Sequence, residues 1–140
     1  MVVVETQREA IKAAPIIELL LRRKSDFEPI VVAISHADEH LLHTLTLFHL
    51  SPNIVLHLEH IRRGLPSLTS HTLENMTVAL ENTKPDILLV QGNSTSAFSC
   101  ALAAFNQKIA VAHIASGPAR PFSDYPFPQD VNRRLTAVMA

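Results

Sequence analysis

Short runs of Val, Ile and Leu alternate along the chain with longer stretches in which apolar residues recur at helical spacing. Val2 to Val4, Pro29 to Ile34, Ile54 to Leu58, Ile87 to Val90 and Ile109 to Ile114 are continuous rather than alternating. That is the pattern of strands buried on both faces, and it predicts a parallel sheet. Between the first two runs, Ala10, Ala13, Ala14, Ile17, Leu20 and Leu21 form one apolar stripe, with Lys12, Arg22 and Arg23 opposite, so an amphipathic helix is expected. Pro15 lacks the N–H that would reach Ile11, and it either sits in the first turns or bends the helix. Asp38 to Leu50 repeats the pattern with Leu41, Leu42, Leu45 and Phe48, and Ser51-Pro52 is the expected stop. A third helix follows Gly64 with the stripe Leu65, Leu68, Thr69, Leu73, Met76 and Leu80. It ends at Lys84-Pro85-Asp86, because Pro85 disfavours helical geometry at Lys84. A fourth runs from about Ser94 to Phe105 with Phe98, Ala101, Leu102 and Phe105 inward. A Pro-rich loop from Pro118 to Pro128 then leads to a last helix near Gln129 to Ala140, with Pro128 suited to its first position.

Strands that alternate with helices, joined by right-handed crossovers, place helices on both faces of a doubly wound sheet. The expected fold is α/β and Rossmann-like: a parallel sheet of about five strands in order 3-2-1-4-5, one domain spanning residues 1–140. In such sheets ligands bind beyond the carboxyl ends of the strands, where the strand order reverses. Functional side chains are therefore expected in Glu5 to Glu9, Ser35 to Asp38, Gln91 to Ser96 and His113 to Gly117, with Gln7, His36, Asn93, His113 and Asp130 near one crevice.

Composition narrows the function classes. Twelve Lys and Arg against thirteen Asp and Glu leave a net charge of −1 in 140 residues, and thinly spread basic residues argue against a nucleic-acid footprint. No apolar run approaches the ~20 residues needed to cross a bilayer, and no charged start or cleavage site marks a secretory signal. A cytoplasmic location is the default expectation. The triplets Asn75-Met76-Thr77 and Asn93-Ser94-Thr95 are then chance matches to a glycosylation pattern. One cysteine, Cys100, allows no disulfide within the chain.

The familiar cofactor motifs are missing. With three glycines in the whole chain, there is neither a G-x-G-x-x-G after the first strand nor a G-x-x-x-x-G-K-[ST] loop. Gly92-Asn93-Ser94-Thr95-Ser96 resembles a nucleophile elbow but ends in Ser, and the His and acid that should follow it are in the wrong order. A turn whose Ser or Thr caps the fourth helix is the better reading. His36, His40 and His43 share a helical face that could in principle hold zinc. Without a second contributing element or an H-E-x-x-H pattern they read as surface histidines, and no metal or cofactor is expected. His113 ends a buried strand at the expected site, where it serves either as a hydrogen-bonded structural group or as a catalytic one.

At these same strand ends the sequence resembles the non-hydrolysing UDP-N-acetylglucosamine 2-epimerases. Thr6, Glu9-Ala10-Ile11-Lys12 and Ala14-Pro15 are similar to the family's G-T-R-P-E-A-I-K-x-A-P opening, and Lys84-Pro85-Asp86 with Val90 and Gly92 to its K-P-D-x-x-x-V-x-G-D segment. Ala103-Ala104-Phe105 resembles A-A-F, and His113 with Gly117 and Arg120 resembles H-x-E-A-G-x-R. Pro126-Phe127-Pro128-Gln129-Asp130-Val131-Asn132-Arg133 resembles P-[WF]-P-E-E-x-N-R. The resemblance implies the amino-terminal domain of a two-domain, glycosyltransferase-B-like isomerase without a redox cofactor. Such an enzyme inverts C2 of a UDP-sugar by eliminating UDP to a glycal and adding it back. The carboxyl-terminal domain, which in that family supplies most nucleotide contacts, is absent from these residues.

The departures fall on the chemistry. By the resemblance, Asn93, Ala115 and Asp130 stand at the family's carboxylate positions. Two of the three are lost and the last is one methylene short. An amide or a methyl group cannot take or return a proton. Glu5, Gln7 and Arg8 replace Gly, Arg and Pro, so the expected cation at position 7 is missing and Arg8 is its nearest substitute. Lys12, His113, Asn132 and Arg133 are retained; Gln7, Arg8, Lys12, Asn132 and Arg133 are the implied substrate-binding positions. The chain alone is expected to bind a UDP-sugar weakly or not at all and to lack epimerase activity. The alternatives are activity with a separately encoded second domain, and a binding or regulatory module that pairs with a full-length epimerase. Association with itself or with an epimerase chain is expected through the edge strand Ile109 to Ile114.

Overall fold

The computed structural model describes residues 1–35, 39–58, 64–114 and 127–140. His36, Asp38, Ala115, Gly117, Arg120 and Pro126, named above, lie outside the described residues. The element order is β1 (Val2–Val4), α1 (Gln7–Arg22), β2 (Val31–Ser35), α2 (Glu39–Leu47), β3 (Ile54–His57), α3 (Gly64–Thr83), β4 (Ile87–Gln91), α4 (Thr95–Asn106), β5 (Ala110–Ile114) and α5 (Gln129–Met139). The sheet has five strands in the order β3-β2-β1-β4-β5. Every pairing is parallel, with Val3 opposite Val32, Val2 opposite Leu89 and Val90 opposite His113. The expected Rossmann-like topology is therefore the observed one.

Alternation within each strand divides the core. Val2, Val4, Val31 and Ala33 pack with Ala10, Ala13, Ala14, Ile17, Leu41 and Leu45 of α1 and α2. Val3, Val32, Ile34, Leu88 and Val90 pack on the other face with Met76 and Leu80 of α3 and with Cys100, Ala101 and Ala104 of α4. Successive strand residues point to opposite faces, so a strand covered on both sides must be apolar at every position. The edge strand β3 is only partly buried.

Several helix details differ from expectation. Pro15 falls inside α1 on its exposed side, where water can reach the carbonyl left without an N–H partner. Phe105 is 56% exposed, and α4 instead buries the small residues Ala97, Ser99, Cys100, Ala101, Ala103 and Ala104. This helix packs against α3, α5, β4 and β5, and small side chains permit that close approach on several sides. Leu65 is likewise exposed, α3 being anchored by Thr72, Met76, Ala79 and Leu80. The last helix buries Asp130, Asn132 and Thr136, and Pro128 caps it instead of occupying its first turn. Three helices stop on non-glycine residues at positive φ, namely His49 (56°), Lys84 (45°) and Lys108 (60°). Thus α2 ends before Ser51-Pro52, through Leu50 N donating to Leu45 O at 2.9 Å.

Candidate functional site: the crevice between β1 and β4

β1 is flanked by β2 on one side and β4 on the other, so the strand order reverses there and the loops after β1 and β4 diverge. Between them lies a cavity of about 640 Å³ lined by Gln7, Arg8, Lys12, Gln91, Asn93 and Gln129, among others.

The loop after β1 is fixed by a reciprocal cap. Thr6 Oγ1 accepts from Glu9 N at 3.3 Å, and Glu9 Oε2 accepts from Thr6 N at 3.1 Å and Glu5 N at 2.9 Å. These bonds satisfy amide groups that the start of α1 would otherwise leave open. Burial pushes the Glu9 carboxyl up from its ordinary value. The neighbouring charge of Glu5 adds to this, while the backbone bonds and Lys12 oppose it.

The loop after β4 turns at Gly92, whose φ is +86°. Ser94 caps α4 by accepting from Ala97 N at 3.0 Å, as expected for this turn. Its hydroxyl also donates to Glu5 Oε2, joining the two loops. His113 Nε2 lies 2.7 Å from Gly92 O; a carbonyl only accepts, so Nε2 carries the proton. Asn132 Nδ2 donates to Asn93 O at 3.3 Å and Thr95 Oγ1 at 3.2 Å, pinning the start of α5 to the start of α4.

The candidate residues fall into three groups. Gln7, Arg8, Lys12 and Asn93 line the cavity, whereas His113 and Asn132 bond the backbone of the loop behind it. Asp130 is buried and turned onto its own helix, where Oδ1 meets Arg133 at 3.1 Å and Oδ2 meets Arg134 at 2.8 Å. Burial pushes its carboxyl up, but the two arginines outweigh this and hold it below the ordinary range. Ala115 and His36 lie outside the described residues. His40 and His43 are exposed, and among the described residues no group of three or more His, Cys, Asp or Glu could hold a metal.

Sequence reasoning gave no role to Glu5, Gln91 or the Ser94–Glu5 contact. The reciprocal cap was visible as Thr6-x-x-Glu9, the usual signature of a helix start. Gln91 is buried and lines the cavity, and its Oε1 has no hydrogen-bond partner among the described residues. A second cavity of about 500 Å³ lies at the amino ends of β1 and β4, against Met1, Phe27, Pro85 and Ile87. No helix among the described residues is long and apolar enough to cross a membrane.

Comparison with known proteins agrees with this architecture. The family described as UDP-N-acetylglucosamine 2-epimerase matches residues 20–140. The UDP-N-acetylglucosamine 2-epimerase of Neisseria meningitidis serogroup A is 37% identical over 136 residues, covering 96% of this chain and 36% of that protein. The enzyme of that name from Bacillus subtilis is 34% identical over 140 residues, or 37% of its length. The chain thus spans little more than a third of the curated relatives it matches. Among solved structures, a Neisseria meningitidis UDP-GlcNAc 2-epimerase bound to UDP-GlcNAc superposes with a TM-score of 0.90 at 34% identity, covering 99% of this chain and 38% of that one. The Methanocaldococcus jannaschii enzyme in complex with UDP-GlcNAc and UDP gives 0.83 at 29% identity, covering 99% and 38%. With a family match over most of its length and close superposition on relatives of glycosyltransferase-B-like fold, the chain belongs to the UDP-N-acetylglucosamine 2-epimerase family.

Proposed function

We propose that the chain is the amino-terminal, sugar-facing half of a nucleotide-sugar 2-epimerase site, and that alone it does not epimerise UDP-N-acetylglucosamine. A relative of the same fold is described as bound to UDP-GlcNAc. Arg8 and Lys12 on the crevice wall are suited to an anionic diphosphate, and Asn93 and Gln7 to sugar hydroxyls. The reaction implied by the family moves a proton at C2 and around the leaving oxygen, which requires groups that exchange protons. Of the three family carboxylate positions only Asp130 keeps an acid. Its pairing with both Arg133 and Arg134 is the observation that carries this reading. A carboxylate with both oxygens engaged and a lowered pKa is a poor proton carrier near neutrality. His113 is a positioning group, its Nε2–H committed to Gly92 O.

A binding or regulatory module that pairs with an epimerase chain, or with a separately encoded second domain, is the second reading. It is favoured by an exposed apolar stripe on α5, where Val131, Leu135 and Val138 lie on the outer side at 38%, 45% and 83% exposure. Both readings place the chain in the cytoplasm, where nucleotide sugars are found.

The test is proton NMR of UDP-N-acetylglucosamine in D2O with this chain alone. No deuterium at C2 and no manno product are expected; turnover near that of a complete enzyme would overturn the reading.

A further inference from the structure

On the reading that the crevice takes a nucleotide sugar, we propose that Glu9 and Gln91 form an acceptor pocket in it that holds the hydroxyl and acylamino donors of the sugar. Glu9 lies in the first turn of α1 and Gln91 is the last residue of β4, and both line the crevice. Leu88 and Val90 pack toward α3 and α4, whereas Leu89 packs with residues of α1. Alternation along the strand then turns Gln91 to the α1 side as well. The two ends of the Glu9 carboxylate have different tasks. Oε2 accepts from the amides of Glu5 and Thr6, which fixes the side chain without using Oε1. Oε1 faces Gly92, the residue after Gln91, where any Cβ would press on it; the missing side chain leaves this oxygen uncovered on the crevice side. Burial pushes the carboxyl up from its ordinary value, so it has lost water that the donors of a ligand can replace.

Gln91 supplies an independent observation. It is 4% exposed, and its Oε1 has no hydrogen-bond partner among the described residues. Buried acceptors are normally satisfied. An amide carries its oxygen and its NH2 group on nearly the same shape and can present either end by turning about its last torsion. The unmatched oxygen therefore suits a crevice that receives O–H or N–H donors from outside. Arg8 and Lys12 line the same crevice but are exposed. A ligand with hydroxyl and acylamino groups at one end and phosphate at the other thus finds acceptors where the crevice is deeper and cations where it is open. The sugar enters first, and the phosphate stays at the rim.

The experiment titrates the full chain, ¹⁵N-labelled, with UDP-N-acetylglucosamine, N-acetylglucosamine 1-phosphate and UDP, for the wild type, Glu9→Gln and Gln91→Met, and measures the thermal unfolding of each without ligand. Glu9→Gln keeps an oxygen for the capped amides but sets an NH2 donor at the place of Oε1. It should weaken both acylamino sugars by about tenfold or more, the effect of losing one hydrogen bond to a charged group, and leave UDP unchanged. Gln91→Met removes the unmatched acceptor at similar length. Its unfolding temperature should be equal or higher, since an orphaned buried acceptor destabilises the fold, while the same two ligands weaken by about fivefold. Retained stability with lost affinity is not expected of a side chain that only supports the fold. Unchanged or tighter sugar binding in either variant would overturn the pocket. So would a lower unfolding temperature for Gln91→Met, which would show the amide bridging protein groups through water, and so would UDP weakened as much as the sugars. If Glu9→Gln does not fold, Gln91→Met decides by the same readouts. The crevice reading itself fails separately, if UDP-N-acetylglucosamine perturbs no crevice amide in the wild type, and the pocket falls with it.

Discussion

A Cβ placed on Gly92 would stand 2.5 Å from Glu9 Oε1. The turn after β4 and the first turn of α1 thus meet where one has no side chain and the other a capped carboxylate. Glu9 cannot swing away without releasing the amides of Glu5 and Thr6. Gly92→Ala should therefore cost about 1–3 kcal/mol, from positive φ and from the displaced cap together. Urea unfolding measures it, and a change within experimental error would show that Glu9 moves aside freely.

Glu9 gives a pH-dependent prediction. Glu9→Ala removes the cap and should cost about 1 kcal/mol near neutrality. Glu9→Gln keeps an acceptor for those amides and sheds a half-buried charge, so it should cost much less. The sign follows from the raised carboxyl pKa, whose largest cause is burial. A carboxyl that titrates higher folded than unfolded favours the fold when protonated. Lowering the pH from neutral toward the ordinary value of 4.5 should then stabilise the wild type relative to Glu9→Gln. Stability curves that run parallel over that range would contradict the shift.

Asp130 should behave in the opposite way. Its carboxyl, raised by burial but lowered further by Arg133 and Arg134, titrates below the ordinary 3.8. Its contribution is complete above that value and is lost as the pH falls through the lower, folded one. Asp130→Asn should lower the thermal midpoint near neutrality, with the gap to the wild type closing at acid pH. A gap that persists undiminished would assign the effect to packing instead.

Lys108 ends α4 at φ 60°, where a side chain is strained. Lys108→Gly should stabilise the chain by up to about 1 kcal/mol, the relief of strain being partly offset by the greater freedom of glycine when unfolded. A loss of stability on thermal unfolding would show that the lysine stem contributes packing that outweighs the strain.

The strand order, the two-faced core and the location of the crevice were legible because continuous Val, Ile and Leu runs have one common meaning in an α/β chain. Helix ends were harder to read. His49, Lys84 and Lys108 take left-handed geometry without being glycine, and only Pro85 gave a local clue to one of them. The inward face of α4 was misassigned to Phe105 because periodicity ranks large apolar residues first, whereas a helix covered on several sides needs small ones. The place of Gln7, Arg8, Lys12 and Asn93 on the crevice wall was legible from the strand ends. The bond between Ser94 and Glu5 was not, since it joins residues 89 apart in sequence and arises only when β1 and β4 become neighbours.

The measurement closest to the central claim is an amide map of the ¹⁵N-labelled chain with millimolar UDP-N-acetylglucosamine. Shifts concentrated in Glu5 to Lys12 and Gly92 to Ser94 are expected. No shifts there, or shifts confined to the cavity beside Met1, Phe27 and Ile87 at the other end of the strands, would contradict it.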